Sequence, residues 1–332
     1  MRLYFFIHYS NTNANSYNHI ISFAQKVYDF KKVFPIIVLN SDSFLFYFKK
    51  GCLHISKRIF LSVSDLLPKD SILHFWSARR YIEEYYYILV NRFKLVIHLE
   101  DNYNFLSQCY SNNCFSKSDS LYIIRKFKYI TSINKNLSTL YSIPKSKFFL
   151  LNPPTIIYKR CTYNENSNIL HLGTINQYNR DQICYFIKSN FNSFILVGKN
   201  FYPEFFNDFK NCYDYGFVSE KELNEILSNT LISFVPYLAH DFDYYRYPSK
   251  VPDLLAAGVP TLLPNYEYYQ EIFDHFPELK YDRPQKGRQI ESLAELITKA
   301  RCDAYRNELS QFAKDYFSNQ KSFLDFVSMI SY

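Results

Sequence analysis

Short uninterrupted apolar runs recur along the chain and alternate with segments whose apolar residues return every three or four positions. In the second half the runs are NILHL, SFILV, LISFV and VPTLL, with Gly173, Gly198, Gly216 and Gly258 close to them. Apolar strands without polar alternation are typical of a parallel sheet covered on both faces. The pattern therefore predicts an α/β, doubly wound domain. Within it, Ser219 and Glu222 predict a capping box at the start of a helix.

The first half repeats this rhythm, with strand candidates in RLYFFIH, FPIIVLN, SILHFW, KLVIHLE and KYITSIN and a helix in NHIISFAQKVYDF. Pro153 and Pro154, followed by a polar run, indicate a linker. The length of 332 residues suits two domains. We predict two doubly wound, Rossmann-like domains facing across a cleft, residues 1–155 and 156–314, with a C-terminal helix at about 315–332 joining the first. Ligands of such domains bind at the carboxyl ends of the strands.

Charge and composition exclude several classes of protein. The net charge of +7 is spread along the chain without a nucleic-acid recognition motif, so a nucleic-acid partner is not expected. The seven cysteines are scattered without a CxxC pair, which disfavours a zinc site or a disulfide framework. No run approaches the roughly 20 apolar residues of a spanning helix, and no cleavage site follows the N-terminal apolar run. We expect a cytoplasmic protein.

Residues 241–264 carry the most informative chemistry. They predict a loop, a short helix that Ser249 caps and Gly258 ends, and a strand. Arg246 and Lys250 place two cations beside the free amides of the helix start, and Asp253 can accept hydrogen bonds from a sugar diol. The set suits a nucleoside diphosphate. The alternative is an ordinary capped helix with a solvated basic end.

This segment resembles the P-x-K-x-x-E-x-x-A-x-G-x-P motif of type B fold glycosyltransferases, especially family four. Pro248, Lys250, Ala256, Gly258 and Pro260 match it, and the YRYPSK variant is similar to bacterial surface-polysaccharide enzymes. The resemblance implies transfer of a sugar from a nucleotide-diphosphate sugar to a glycan or lipid-linked glycan acceptor. It implies no cofactor beyond the donor substrate and no metal.

The resemblance also implies site residues elsewhere in the chain. His98 ends a buried strand where the family directs a His at the donor sugar, although a core His fits the same position. The strand period of two places Glu100 on the same face as His98. If transfer is inverting, His98, Glu100 or Asp101 is the expected general base, whereas a retaining reaction needs no base. The implied residues are, on the catalytic side, His98, Glu100 and Asp101, and, on the donor side, Gly173, Thr174, Arg180, Phe217, Val218, Arg246, Ser249, Lys250 and Asp253.

One position departs from the family pattern. Where many family-four enzymes have a first glutamate, eight residues before Asp253, this chain has Tyr245, and Asp241 and Asp243 are the nearby acids. The departure leaves open that the chain is a catalytically inactive nucleotide-sugar-binding relative. A nucleotide-sugar epimerase on the same fold is a separate alternative, which would need a richer set of catalytic acids and histidines.

Two stretches of the first half point to the acceptor side. HFWSARR places His74, Trp76 and two arginines after a strand. Residues 31–60 are both basic and apolar, which favours docking of the first domain on an anionic membrane surface. Buried strands with solvated lysine ends explain the same residues, so peripheral membrane association is an expectation with a structural alternative.

Overall fold

The fold is that of a computed structural model of the chain. The structure describes residues 3–8, 15–31, 34–76, 82–83, 85, 92–100, 117–151, 168–188, 193–237, 248, 250–283, 292–318 and 320–330. The chain divides into two compact units. The first contains the N-terminal sheet and the C-terminal helix, and the second contains the other sheet with its helices.

The first unit is built on an eight-stranded sheet in the order β3-β4-β2-β1-β5-β6-β7-β8. Among its described strands, only β3 is antiparallel to its neighbour. The strands are β1 (Tyr4–His8), β2 (Pro35–Leu39), β3 (Phe46–Lys49), β4 (Cys52–Ser56), β5 (Ile72–Trp76), β6 (Lys94–Leu99), β7 (Tyr129–Ser132) and β8 (Phe148–Leu150).

The second unit has a six-stranded, wholly parallel sheet in the order β11-β10-β9-β12-β13-β14. This is the doubly wound order, in which the direction of winding reverses between β9 and β12. The strands are β9 (Asn168–Leu172), β10 (Phe194–Val197), β11 (Cys212–Gly216), β12 (Thr230–Phe234), β13 (Thr261–Pro264) and β14 (Lys280–Tyr281).

Helices connect the parallel strands, as the alternating pattern predicts. In the described part of the chain the α-helices are α1 (Asn15–Lys31), α2 (Lys57–Val63), α3 (Lys117–Lys126), α4 (Asn136–Leu140), α5 (Arg180–Lys188), α6 (Glu220–Ser228), α7 (Lys250–Ala256), α8 (Gln270–His275), α9 (Ser292–Ala300), α10 (Asp303–Ser318) and α11 (Gln320–Ile330). Short 3-10 turns follow α2 and flank α8.

Aromatic side chains form the core of the first unit on one face of its sheet. Phe23 of α1 packs edge-on against Phe6 of β1, Trp76 of β5 and Phe323 of α11. Phe326, Val327 and Ile330 of α11 lie in the same buried cluster. The C-terminal helix therefore completes the core of the N-terminal sheet, although the two are more than 150 residues apart in the chain.

Two of the predicted helix ends of the second unit are confirmed, the capping box at Ser219 and the end at Gly258, while the predicted cap Ser249 lies outside the described residues. Ser219 Oγ accepts from the Glu222 amide at 3.3 Å while the Glu222 carboxylate accepts from the Ser219 amide at 2.7 Å, a complete capping box at α6. Helix α7 ends at Gly258, whose φ is +77°. The Gly258 and Val259 amides donate to Leu255 O and Leu254 O, as in a Schellman motif.

A buried arginine holds the strand and helix ends of the second unit together. Arg306 of α10 is fully buried, and its guanidinium donates to Ala300 O, Gly258 O, Thr230 O and Leu231 O at 2.7–3.2 Å. A guanidinium carries five N–H donors in a fixed plane, so one side chain satisfies carbonyls from β12 and from the ends of α7 and α9. Arg306 therefore fixes α7 against the sheet.

Replacing Arg306 by Leu should destabilise the second unit by about 3 kcal/mol or more, because buried carbonyl groups lose their hydrogen bonds. Hydrogen exchange of the β12 amides measures this as a loss of protection. The matched control is Arg301→Leu, an exposed arginine of the same region, which should change the opening free energy by less than about 0.5 kcal/mol. Equal protection in both variants would contradict the role of Arg306.

Candidate functional site

The carboxyl edge of the second sheet gathers the predicted glycine turns. Gly173, Gly198 and Gly216 end β9, β10 and β11, which are neighbours in the sheet. The Gly173 amide donates to Val197 O and the Gly198 amide to Gly216 O, each at 2.7 Å. Because the winding reverses beside β9, this edge is where the fold leaves room for a ligand.

Glycine is required at Gly198 by close backbone approach. A Cβ atom there would overlap the Gly173 carbonyl, and the Gly198 φ of +129° is one that other residues rarely adopt. The first two turns are therefore packed backbone against backbone. Since the Gly173 amide is already bonded to Val197 O, the contribution of Gly173 to a ligand site comes from its missing side chain rather than from its amide.

Lys250 fills the space that the missing side chain leaves. A Cβ atom on Gly173 would overlap Lys250 Nζ and would lie 3.5 Å from Lys250 Cε. The first residue of α7 thus places its ammonium group directly over the end of β9, 77 residues earlier in the chain. Two residues that the sequence assigns to donor binding are brought together here.

His171 is a neighbour of this pair that the sequence reasoning missed. The side chain is 3 % exposed, packs against the Phe234 ring of β12, and places Nε2 3.3 Å from the position of a Gly173 Cβ. A histidine inside the otherwise apolar run NILHL is the signal that could have indicated it. His171 lies beneath the turn that carries Gly173.

The rest of the motif segment is partly described. Asp253 lies in the first turn of α7 and is 4 % exposed, so its carboxylate is held inside the second unit beside the helix start. Pro248 is buried, and its carbonyl accepts from the Val251 amide at 3.0 Å. Five residues of this segment that the sequence analysis names lie outside the described residues: Asp241, Asp243, Tyr245 and the two predicted donor contacts Arg246 and Ser249.

The loop after β9 is held by its own polar side chains. Asn179 Nδ2 donates to Thr174 O at 2.9 Å, and the Ile175 amide donates to Lys199 O at 2.8 Å. Arg180, at the start of α5, pairs with Asp181 at 3.1 Å. Its guanidinium also lies over the rings of Tyr202 and Phe205, 4.8 and 4.3 Å from their centroids. Arg180 is therefore a stacked cation on the β10 side of the loop.

Phe217 and Val218 differ in exposure at the end of β11. Phe217 is 83 % exposed, whereas Val218 packs against the buried cluster that includes Leu223 and Leu254. Val218 therefore anchors the turn, and Phe217 presents a free aromatic face to solvent. An exposed ring of this kind suits stacking on a planar ligand.

In the first unit, His98 lies at the end of β6 in a dry aromatic setting. The side chain is 2 % exposed, stacks on Trp76 with ring centroids 4.2 Å apart, and pairs its Nδ1 with Thr131 Oγ1 at 2.9 Å. Burial, with a smaller effect of His19, lowers the pKa of His98 to about 3. The imidazole is therefore neutral at physiological pH.

Glu100 is more accessible than His98. The residue is half-buried directly after β6, and its carboxylate accepts from Trp76 Nε1 at 2.7 Å. Trp76 thereby contacts both His98 and Glu100. Asp101 lies outside the described residues, as do the two arginines of the HFWSARR stretch.

His74, expected on the acceptor side, is fully buried instead. Its Nδ1 pairs with the Tyr4 hydroxyl at 3.0 Å, and its ring packs among Phe6, Phe23 and Trp76. Burial lowers the pKa of His74 well below its usual value, and His98 adds to this. His74 and Trp76 are therefore core residues that support the end of β6.

Neither a metal-binding cluster nor a membrane-spanning helix is found among the described residues. Within the described ranges, no three His, Cys, Asp or Glu side chains come close enough to hold a metal ion. Among the helices that the structure describes, none has the length and apolar content to cross a bilayer.

Solved structures resemble the whole chain. WaaG, a glycosyltransferase involved in lipopolysaccharide biosynthesis, is 11% identical and matches 99% of both chains with a TM-score of 0.62. Sucrose-phosphate synthase from Thermosynechococcus elongatus is 10% identical over 99% of this chain and 98% of its own, with a TM-score of 0.63. An α-glucosyltransferase in complex with UDP and DNA is 13% identical over 100% of both chains, with a TM-score of 0.58. No protein-family model and no curated protein matches the chain.

These likenesses confirm the predicted fold class. The chain has the two Rossmann-like domains of type B glycosyltransferases, which is the architecture that the motif at Lys250 implied. At 7–14% identity, the likeness concerns the fold.

The buried His98 predicts an acid-sensitive first unit. Between pH 6.5 and about 3 the unfolded chain binds a proton at this ring that the folded protein does not, so stability falls as the pH is lowered through this range. The expected slope is about 1.4 kcal/mol per pH unit for each such histidine. Urea unfolding followed by the single tryptophan measures it, and His98→Gln should flatten the slope.

The comparison contains its own control. Above about pH 7.5 the His98 ring is neutral in both the folded and the unfolded protein. The free energies of unfolding of wild type and variant should therefore differ by a constant amount there. An unchanged slope in the acidic range would show that His98 is protonated in the folded protein and would contradict its dry setting.

Proposed function

We propose that the protein is a glycosyltransferase that moves a sugar from a nucleotide-diphosphate sugar to a glycan or lipid-linked glycan acceptor. The observation that carries the proposal is the Lys250 ammonium lying over Gly173 at the reversal point of the second sheet. The glycosyltransferase neighbours, one of them in complex with UDP, support the same function.

The donor side of the proposal follows from charge. In the reaction the bond between the anomeric carbon and the diphosphate oxygen breaks, and the nucleoside diphosphate leaves with an added negative charge. A cation already in position stabilises that charge without reorganisation. Lys250 is proposed to do this with Arg246. Thr174, Arg180 and Ser249 are proposed to hold the phosphates and sugar.

The remaining donor contacts are proposed from exposure and polarity. The face of Phe217 suits the nucleotide base, with the Val218 backbone beside it, and the Asp253 carboxylate suits a ribose diol. Asp253 is buried, so this contact would be made with a shielded carboxylate, where hydrogen bonds to a charged group are strong.

The first unit is proposed to supply the acceptor side. The acceptor hydroxyl forms the new bond to the anomeric carbon, and its proton passes to a protein base or to the leaving phosphate. A neutral His98 is suited to hydrogen bonding rather than to holding a charge. If the transfer is inverting, Glu100 or Asp101 is the proposed base. If the transfer is retaining, neither Glu100 nor Asp101 acts as a base.

An inactive nucleotide-sugar-binding protein is the second candidate, because Tyr245 stands where relatives have their first glutamate. The two candidates share the donor site and differ in turnover. A thermal-shift screen against nucleoside diphosphates and their sugars identifies the donor. A donor-hydrolysis assay with that sugar then separates them, because an active transferase releases the nucleoside diphosphate and a binding protein does not.

Lys250→Ala should weaken binding of a nucleoside diphosphate by about tenfold or more, because about 1.4 kcal/mol of charge pairing is lost. Arg246→Ala should do the same. Titration calorimetry measures both. Lys221→Ala, which removes an exposed cation of α6, is the matched control and should leave the affinity within about twofold. Unchanged affinity in both site variants would refute the assignment.

Gly173→Ala should weaken the same binding nearly as much as Lys250→Ala, since the added methyl group displaces the ammonium. The two changes act on one feature, so the double variant should lose little more than either single variant. Calorimetry on the four proteins gives the coupling. Fully additive losses would mean that Gly173 serves the site independently of Lys250.

A further inference from the structure

An exposed aromatic surface lies at the edge of the first sheet. Phe46 and Phe48 of the edge strand β3 are 70 % and 63 % exposed, and Phe44, just before the strand, is 69 % exposed. Between them, Tyr47 points the other way and stacks on His54 at 4.8 Å. The strand therefore has one packed face and one outer face of phenylalanines.

Neighbouring residues extend this surface. The ring of Phe34, before β2, stacks on Phe48 at 5.9 Å, and Tyr28 of α1 meets Phe34 at 6.4 Å. We call Tyr28, Phe34, Phe44, Phe46 and Phe48 the aromatic face. Single exposed apolar residues are ordinary on a protein surface, but a contiguous group marks a site of interaction with a partner or a membrane.

The charge around the aromatic face is strongly positive. Residues 31–60 contain six Lys or Arg and one Asp, against a net charge of +7 for the whole chain. Lys49 and Lys50 form the tip between β3 and β4, and Arg58 lies 4.8 Å over the Phe44 ring. The one acid, Asp42, pairs with Lys57 at 3.0 Å. Lys49, Lys50 and Arg58 thus place positive charge beside the exposed rings.

We propose that the aromatic face docks on an anionic lipid surface. Aromatic side chains are favoured at the boundary between headgroups and acyl chains, and nearby Lys and Arg side chains are attracted to an anionic leaflet. In this arrangement the exposed rings insert at that boundary, and Lys49, Lys50 and Arg58 bind lipid phosphates. The proposal concerns the surface of the first unit and holds whether or not the protein transfers sugars.

A second copy of the chain is the competing occupant, because an edge strand can pair with another edge strand. Positive charge distinguishes the two occupants. Two copies meeting through β3 would place Lys49, Lys50 and Arg58 of both chains in one interface, which like-charge repulsion opposes. An anionic bilayer has the complementary sign.

Vesicle co-sedimentation tests the proposal with the full chain. Wild-type protein should sediment with vesicles of phosphatidylcholine mixed with phosphatidylglycerol and not with phosphatidylcholine alone, and added NaCl should release it. The double variant Phe46→Ser/Phe48→Ser should bind at least about tenfold more weakly. Tyr122→Ser is the matched control, since Tyr122 is a 60 % exposed aromatic of α3 in the same unit, and should bind like wild type.

A fluorescent variant locates the contact. Phe48→Trp adds an exposed indole to a chain whose one tryptophan, Trp76, is fully buried, so a blue shift on adding anionic vesicles reports insertion at β3. No sedimentation, equal binding of the double variant and wild type, or no shift at position 48 would each overturn the proposal. So would self-association in ultracentrifugation without lipid that the double variant abolishes, because the face would then be a protein interface.

Discussion

The proposed donor site depends on one steric fact, which is that Gly173 has no side chain where Lys250 needs space. The ammonium group lies over the end of a central strand because that position is empty. The glycine directly follows the strand, whereas the lysine comes 77 residues later in the chain. Their meeting is fixed by the doubly wound order, which places the start of α7 beside β9 at the point where the winding reverses.

The two units provide different environments for chemistry. The second places the Lys250 ammonium at the carboxyl edge of its sheet, where backbone turns pack against one another. Arg306 holds α7 in place through hydrogen bonds to Gly258 O and Thr230 O. The first surrounds the end of β6 with aromatic rings and buried histidines, which keeps His98 neutral. An environment that holds a cation suits a charged leaving group, and a dry one suits a neutral hydroxyl and its proton.

Apolar runs and glycines predict nine of the described strands, because burial on both faces leaves a continuous signal in the sequence. The capping box at Ser219 is likewise local and is predicted. The pattern does not single out β3, β4, β8, β11 and β14. Four of these are edge strands of two to five residues, and β4 (CLHIS) is a run with only two aliphatic side chains. Contacts between distant residues leave no local pattern, so the sequence does not predict that the Lys250 side chain occupies the space beside Gly173.

The burial of Arg306 has a signal in the sequence. Leu309, Ser310, Ala313 and Phe317 follow it at helical spacing and are all buried, so the arginine stands on the inner stripe of α10. A charged residue in that position implies a buried set of acceptors. Nothing local indicates which carbonyls they are, because Thr230 and Gly258 lie in other elements.

The most direct measurement is a crystal structure of the protein soaked with inorganic pyrophosphate, which represents the diphosphate without assuming a base or a sugar. A pyrophosphate oxygen should lie about 3 Å from Lys250 Nζ, within hydrogen-bonding distance above Gly173. Pyrophosphate bound at another surface, with the Lys250 side chain still against Gly173 and no anion beside it, would contradict the central claim.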